Sequence, residues 1–271
     1  MIPTTETWLA LAIGNSRLHW AWFVGSKLHQ TWNTAHLFPE AIATLITNHF
    51  DFTPYLKSSP KFPLPDQPQL WIASVVPEQT AYWQIYNYVH VITLDHLPLQ
   101  GTYPTLGLDR ALALWGAIKT LGTPVLVIDA GTALTFTGAD RGRRFAGGAI
   151  LPGMQLQMRS LFHNTAALPL LESNSLTSIP PRWASNTPDS IRSGILYATL
   201  AALQDFVEAW LQEFPQSAVA LTGGDSSLLY TYLKQLSPQL AVNLTLDLHL
   251  IFWGIQAIHF TQGLTTPFNS S

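Results

Sequence analysis

The sequence predicts an α/β protein built of two similar halves, and three observations predict it. Apolar runs of strand length alternate with longer stretches of helical periodicity. A strand–turn–strand pattern occurs twice: LALAIGNSRLHW around Gly14 aligns with VLVIDAGTALTF around Gly131, an offset of 117 positions in a chain of 271. Glycine turns also end three apolar runs, at Gly14, Gly131 and Gly223–Gly224. A duplicated unit of this kind suggests a cleft between the halves, and nucleotides often bind in such clefts.

Taken in order, Leu9–Ile13 and Leu18–Val24 read as strands, and Phe38–Phe50 has helical spacing. The following segment carries prolines at 54, 60, 63, 65 and 68 and reads as a loop, because proline is excluded from helix interiors and central strands. Trp71–Val76 and Val89–Leu94 are short apolar strands, and Leu106–Leu121 is a helix. Val125–Gly138 repeats the strand–turn–strand pattern, and RFAGGAILPGMQLQMRSLF runs through its glycines into a helix. A long helix follows, with Thr187 expected at the N-cap, Pro188 in the first turn and Asp189 favoured by the dipole. AVALTGGDSSLLYTYL reads as strand, Gly-Gly turn and helix, and LHLIFWGIQAIHF as a final buried helix. The expected domains are 1–119 and 120–271, the last helix being free to return to the first domain.

Composition narrows the function. Apolar residues make up 47% and charged residues 11%, which argues for packed domains over disorder. A net charge of −3 without a basic block disfavours nucleic acid and anionic membranes as partners. No apolar run reaches the roughly 18 residues of a membrane span, and MIPTTETW lacks the pattern of a signal peptide, so a cytoplasmic protein is expected. The absence of cysteine excludes disulfides, zinc-thiolate sites and a thiol nucleophile. The histidines show no HxxxH spacing, and neither GxSxG nor GxxxxGK[ST] occurs. The ten tryptophans are scattered through apolar segments, where core packing is their expected role.

The candidate chemistry lies at the glycine turns and at one helix start. Glycine lets backbone approach a ligand closely, and successive N–H groups form an anion-binding concavity. The Gly14-Asn15-Ser16 tip is then either a phosphate cradle or a plain hairpin turn. Asp129 closes the apolar run VLVI at a strand's carboxyl end, where it either holds a cation or ties off the turn. Thr132 adds a short donor. Gly223–Gly224 leaves bare backbone for a flat base or ribose, or is an ordinary strand-to-helix turn. In Gly107-Leu108-Asp109-Arg110, Asp109 could take a proton from an attacking hydroxyl and Arg110 could clamp an anion, or both could be ordinary helix-start residues.

These segments together (AIGNSRLH, GLDR, DAGTA, GGAILPG and TGGD, in this order and spacing) resemble type III pantothenate kinase from about Leu9 to Gly254. The resemblance implies two ribonuclease-H-like domains of the actin-like and sugar-kinase ATPase superfamily. It also implies transfer of the ATP γ-phosphate to pantothenate, the first step toward coenzyme A. It makes Ala12, Ile13, Gly14, Asn15, Ser16, Arg17, Leu18 and His19 the first phosphate motif, with Thr132, Gly223 and Gly224 as further ATP contacts. Asp109 becomes the general base. Tyr103, Gly107, Leu108, Asp109, Arg110 and Thr187 fall to the pantothenate site, Thr187 across a homodimer interface. Asp129 becomes the ligand of a monovalent cation, potassium or ammonium, beside the Mg²⁺ that accompanies ATP.

The match departs at two positions. The family's first motif reads Asp-x-Gly-Asn-Thr-x-x-Lys, whereas this chain has Ala12 for the acid and His19 for the lysine. Losing one charged contact costs about 1–3 kcal/mol, and the paired loss leaves the local charge nearly unchanged. Two alternatives follow: a non-enzymatic accessory-factor relative that binds nucleotide or a partner, and a kinase for another hydroxylated substrate on the same scaffold.

Overall fold

The computed structural model describes residues 6–56, 64–172 and 178–262. The chain divides into two compact units. The first gathers the described residues up to Pro98, Tyr103–Lys119 and those from Ile251 onward; the second holds Leu99–Thr102 and Thr120–Leu250. Part of the proline-rich segment lies outside the described residues.

The first unit is built on β1 (Thr7–Ile13), which is buried over nearly its whole length. β2 (Leu18–Val24) runs back along it and β3 (Lys27–Thr34) along β2, both antiparallel, while β4 (Gln69–Ser74) joins β1 in parallel and β5 (Val89–Val91) joins β4 in parallel. The sheet order is β3-β2-β1-β4-β5. Helices α1 (Pro39–Thr47), α2 (Pro77–Trp83) and α3 (Leu108–Leu121) connect or follow these strands. α8 (Leu250–Gln262) packs against α3, Gly254 lying so close to the Leu112 carbonyl that a Cβ would overlap it. The core is aromatic: Trp20 meets Phe52 and Trp83 edge-on at 4.9 and 5.3 Å, and Trp8 stacks on Phe23 at 4.2 Å. Trp183 departs from the expected core role, being 91% exposed.

The second unit repeats the plan. β6 (Val125–Ala130) is its central strand, β7 (Ala133–Ala139) and β8 (Phe145–Pro152) follow antiparallel, and β9 (Ala218–Thr222) and β10 (Leu244–Leu246) add in parallel, giving β10-β9-β6-β7-β8. Read from the other edge, that order is the order of the first sheet, strand for strand. The repeat inferred from the two glycine tips therefore extends over both sheets. Helices α4 (Met154–His163), α5 (Thr187–Glu213), α6 (Ser226–Leu236) and α7 (Pro238–Ala241) complete the unit. α5 buries Ile191, Ile195, Leu196, Leu203 and Val207 in the core, and its Trp210 lies directly over Gly138 of β7, which has no side chain to obstruct it.

Three sequence expectations need correction. RFAGGAILP forms the edge strand β8; it pairs antiparallel with β7 from Pro152 to Phe145, with one register shift that skips Ala146. Asn186, not Thr187, caps α5, its Oδ1 accepting from Asp189 N at 2.9 Å while its Nδ2 donates to the Asp189 carboxylate at 2.8 Å. The strand expected over Val89–Leu94 ends at Val91, because Thr93 N donates to His96 Nδ1 at 3.0 Å and caps a single 3₁₀ turn.

His259 on α8 is 2% exposed, and neither ring nitrogen has a hydrogen-bond partner among the described residues. It sits between Trp8 at 4.3 Å and Trp71 at 5.0 Å, with His90 stacked on Trp71. Burial pushes its pKa down to about 4, with a smaller like-charge push from His90. An unfolded histidine titrates near 6.5, so the unfolded chain binds the extra proton between about 6.5 and 4. The stability that neutral His259 contributes is complete above that window and is lost as pH falls through it, by at most about 1.4 kcal/mol per pH unit. Urea unfolding at pH 7 and pH 5 is expected to show a smaller acid loss in His259→Leu than in the unsubstituted chain; equal losses would contradict this assignment.

Candidate active site

In the first unit the turn Gly14–Arg17 links β1 to β2 and is closed by Gly14 N donating to Arg17 O at 3.0 Å. The strand register places Ile13 opposite Leu18 and Ala12 opposite His19. Of the expected phosphate motif, Ala12, Ile13 and Leu18 are buried in the sheet, so Ile13 and Leu18 can serve a ligand only through backbone. Asn15, Ser16 and Arg17 are exposed at the tip. His19 Nδ1 lies 2.7 Å from Asn33 Oδ1 on β3. An amide oxygen only accepts, so Nδ1 carries the proton. Burial lowers the His19 pKa, against the Asn33 hydrogen bond and with a further push from Arg17, so the ring is neutral at neutral pH. Asn33 was not anticipated, because its strand was not.

The second cluster of this unit forms where α3 begins. Leu108 opens the helix and Asp109 follows within its first turn, where the helix dipole favours a carboxylate. Arg110 N donates to Asp109 Oδ1 at 2.8 Å, which fixes the carboxyl group and leaves Oδ2 to accept a proton. Asp109 Oδ1 also lies 2.6 Å from where a Cβ on Gly107 would stand. The glycine is therefore the condition for the carboxylate's position. Arg110 is buried, and its Nη1 donates to the Tyr103 hydroxyl at 3.2 Å. Tyr103, Gly107, Asp109 and Arg110 thus lie together at the start of α3. Leu108 faces a cavity of about 370 Å³, lined also by Ser74, Thr80, Ile92 and Thr93.

In the second unit three glycine turns converge around Asp129. The two-residue tip Gly131–Thr132 joins β6 to β7, and Gly131 N donates to Ala133 O at 3.1 Å. Gly153, just before α4, donates to Thr132 O at 3.0 Å, and a Cβ there would overlap the Gly131 carbonyl oxygen. Gly223 has φ 93°, and a Cβ would overlap both Asp129 Oδ1 and the Ala130 backbone. Asp225 N donates to Ala130 O at 2.9 Å and ties the β9–α6 turn to the end of β6. Above Gly224 the space is open. Gly153 was missed as a site residue: its motif was visible, but its role as the close neighbour of the Gly131–Thr132 tip depends on a non-local approach. Thr187 is set apart from this convergence, in the first turn of α5, where it lines a second cavity of about 370 Å³ with Leu161, Leu168, Ile191 and Ile195.

The donor set at the end of β6 is entirely oxygen: the Asp129 carboxylate and the turn carbonyls. Such donors suit hard cations. Among the described residues no three His, Asp or Glu side chains gather, so a cation here would draw on backbone carbonyls, phosphate and water beside Asp129.

Comparison with known proteins gives the family. The family model described as type III pantothenate kinase matches residues 8–209. A curated relative of that name from Nostoc sp. strain PCC 7120 is 52% identical over 260 residues, covering 93% of this chain and 94% of the relative. Another from Synechocystis sp. strain PCC 6803 is 46% identical over 254 residues, covering 94% of this chain and 91% of the relative. Among solved structures, a ROK hexokinase from Thermus thermophilus aligns with a TM-score of 0.51 at 10% identity, covering 95% of this chain and 100% of that one. This likeness is one of fold alone, an α/β chain with two five-stranded mixed sheets.

The two glycines of the β9–α6 turn differ in what they tolerate. Gly223→Ala is expected to lower unfolding free energy by about 2 kcal/mol or more, from the left-handed φ and the backbone overlap. Gly224→Ala, with open space above it, should stay within about 0.5 kcal/mol. Denaturant titration of both variants checks the contrast, and equal losses would refute it.

Proposed function

The chain belongs to the type III pantothenate kinase family, and on that premise we propose which of its residues serve the reaction. The chain is an ATP-dependent pantothenate kinase, forming 4'-phosphopantothenate at the first step of coenzyme A biosynthesis. The curated relatives carry the kinase name, which favours turnover over a purely binding role. The observation that carries the site assignment is the cluster at the start of α3: a carboxylate fixed through one oxygen over Gly107, beside a buried arginine held by Tyr103.

In this reading Arg110 and Tyr103 receive the pantothenate carboxylate, and paired guanidinium N–H groups fit that planar anion. The pantothenate hydroxyl oxygen attacks the γ-phosphorus of ATP, the bond to the bridging β–γ oxygen breaks, and ADP leaves. Asp109 Oδ2 takes the hydroxyl proton. The transition state of phosphoryl transfer is loose, so positioning and charge stabilisation contribute most. The backbone of the Gly14–Arg17 and Gly131–Thr132 turns meets phosphate, with Thr132 adding a hydroxyl, and Gly223–Gly224 offers bare backbone to the nucleoside. Mg²⁺, when bound with ATP, would supply neutralisation of phosphate charge, and Asp129 would hold the monovalent cation, potassium or ammonium. A domain division near residue 119, cytoplasmic location, and a homodimer through which Thr187 reaches the partner's pantothenate belong to the same reading. Among the described residues no helix is long and apolar enough to cross a membrane.

Asp109→Asn is expected to lower kcat by about 10²- to 10⁴-fold, the usual contribution of a carboxylate base, with the thermal midpoint unchanged. ATP turnover with and without pantothenate, over a series of K⁺ and Mg²⁺ concentrations, is the measurement. Near-normal turnover in the variant would remove Asp109 from this role. Turnover with a different alcohol in place of pantothenate would redirect the substrate assignment.

A further inference from the structure

We propose that His36 is a positioning residue for the first phosphate-facing turn, acting through Gly14; this rests on the nucleotide role assigned to that turn above. His36 lies just beyond β3 and is half-buried. Its Nε2 stands 2.8 Å from the carbonyl oxygen of Gly14. A carbonyl only accepts, so Nε2 carries the proton and donates it. The Gly14 N–H is committed as well, to Arg17 O at 3.0 Å. The peptide that joins Gly14 to Asn15 is thereby held from outside the turn.

That constraint has a direction. A planar trans peptide keeps its C=O and its N–H on opposite sides. With the Gly14 carbonyl drawn to His36, the Asn15 N–H is turned away from His36. Rotation of this peptide changes ψ of Gly14 and φ of Asn15, and glycine and asparagine both tolerate that change when nothing holds the peptide. A rotated peptide would present an oxygen where an anion needs an N–H, which spoils a backbone concavity for phosphate. His36 selects the orientation with the donor outward. β3 supplies a second brace nearby: Asn33 holds His19, whose Nε2 lies 3.8 Å from where a Gly14 Cβ would stand. Both side chains lie outside the Ala12–His19 segment, so the turn's geometry depends on a strand that its own sequence does not include.

The test uses the full chain and two readouts: ADP affinity in the presence of Mg²⁺, measured calorimetrically, and steady-state kinetics with each substrate varied. His36→Leu is expected to weaken ADP binding and raise the KM for ATP by about tenfold, the scale of one hydrogen bond. The KM for pantothenate should stay within about twofold. His36→Gln, whose amide N–H can reach the Gly14 carbonyl, is expected to recover ADP affinity to within about threefold. Unchanged ADP affinity in His36→Leu overturns the proposal, as does a His36→Gln variant no better than His36→Leu. If His36→Leu does not fold, His36→Ser replaces it under the same criteria. An unsubstituted chain that binds ADP but phosphorylates no pantothenate overturns the proposed reaction, while the His36 assignment is still decided by the ADP affinities. An unsubstituted chain that binds no ADP overturns both.

Discussion

Each sheet depends on a central strand that pairs antiparallel on one side and parallel on the other. β1 lies between β2 and β4, and β6 lies between β7 and β9. The antiparallel neighbour requires a tight turn at the carboxyl end of the central strand. The parallel neighbour requires that its own carboxyl end lie at the same edge. One edge of each sheet therefore gathers a tight turn and a strand-to-helix turn side by side, while the apolar strand interiors stay in the core. Two hydrogen bonds record this meeting: Val75 N to Ile13 O at 3.1 Å in the first unit, and Asp225 N to Ala130 O at 2.9 Å in the second. Ile13 and Ala130 occupy equivalent places just before Gly14 and Gly131. A polar ligand can be served at these edges without burying unpaired backbone.

The same constraint explains what the sequence made legible. Both glycine tips stand out because small polar residues interrupt long apolar runs, and those runs are apolar because central strands are covered on both faces. The edge strands β3 and β8 carry no such signal. β3 reads KLHQTWNT, mostly polar and only partly buried, and β8 reads FAGGAILP, whose glycines resemble a loop until the β7 ladder is seen. The side chains that depend on these edges were hidden with them. Asp129, Thr132, Asp109 and Arg110 were legible because a strand end or a helix start marks each one locally. Asn33, His36 and Gly153 act on residues distant in sequence or across a turn, and no local pattern announces such an approach.

The pair Ala12 and His19 gains its meaning from register. They are direct cross-strand partners, so their side chains lie on one face and within reach of each other. Ala12 is 2% exposed. A carboxylate at that depth needs a cationic partner, and burial holds His19 neutral; conversely, a lysine at 19 opposite alanine would be a half-buried charge with its nearest counter-charge removed. The two positions at which the chain departs from the motif thus form one cross-strand pair. The equivalent place in the second unit keeps its acid: Asp129 pairs in register with Thr135 and Thr222, neutral neighbours, and crowds Gly223. In this chain the carboxylate at the end of a central strand belongs to the second unit alone. In the reading proposed above, the Gly14–Arg17 turn meets phosphate through backbone donors, and the side chains of Asn33 and His36 brace it from β3 and just beyond.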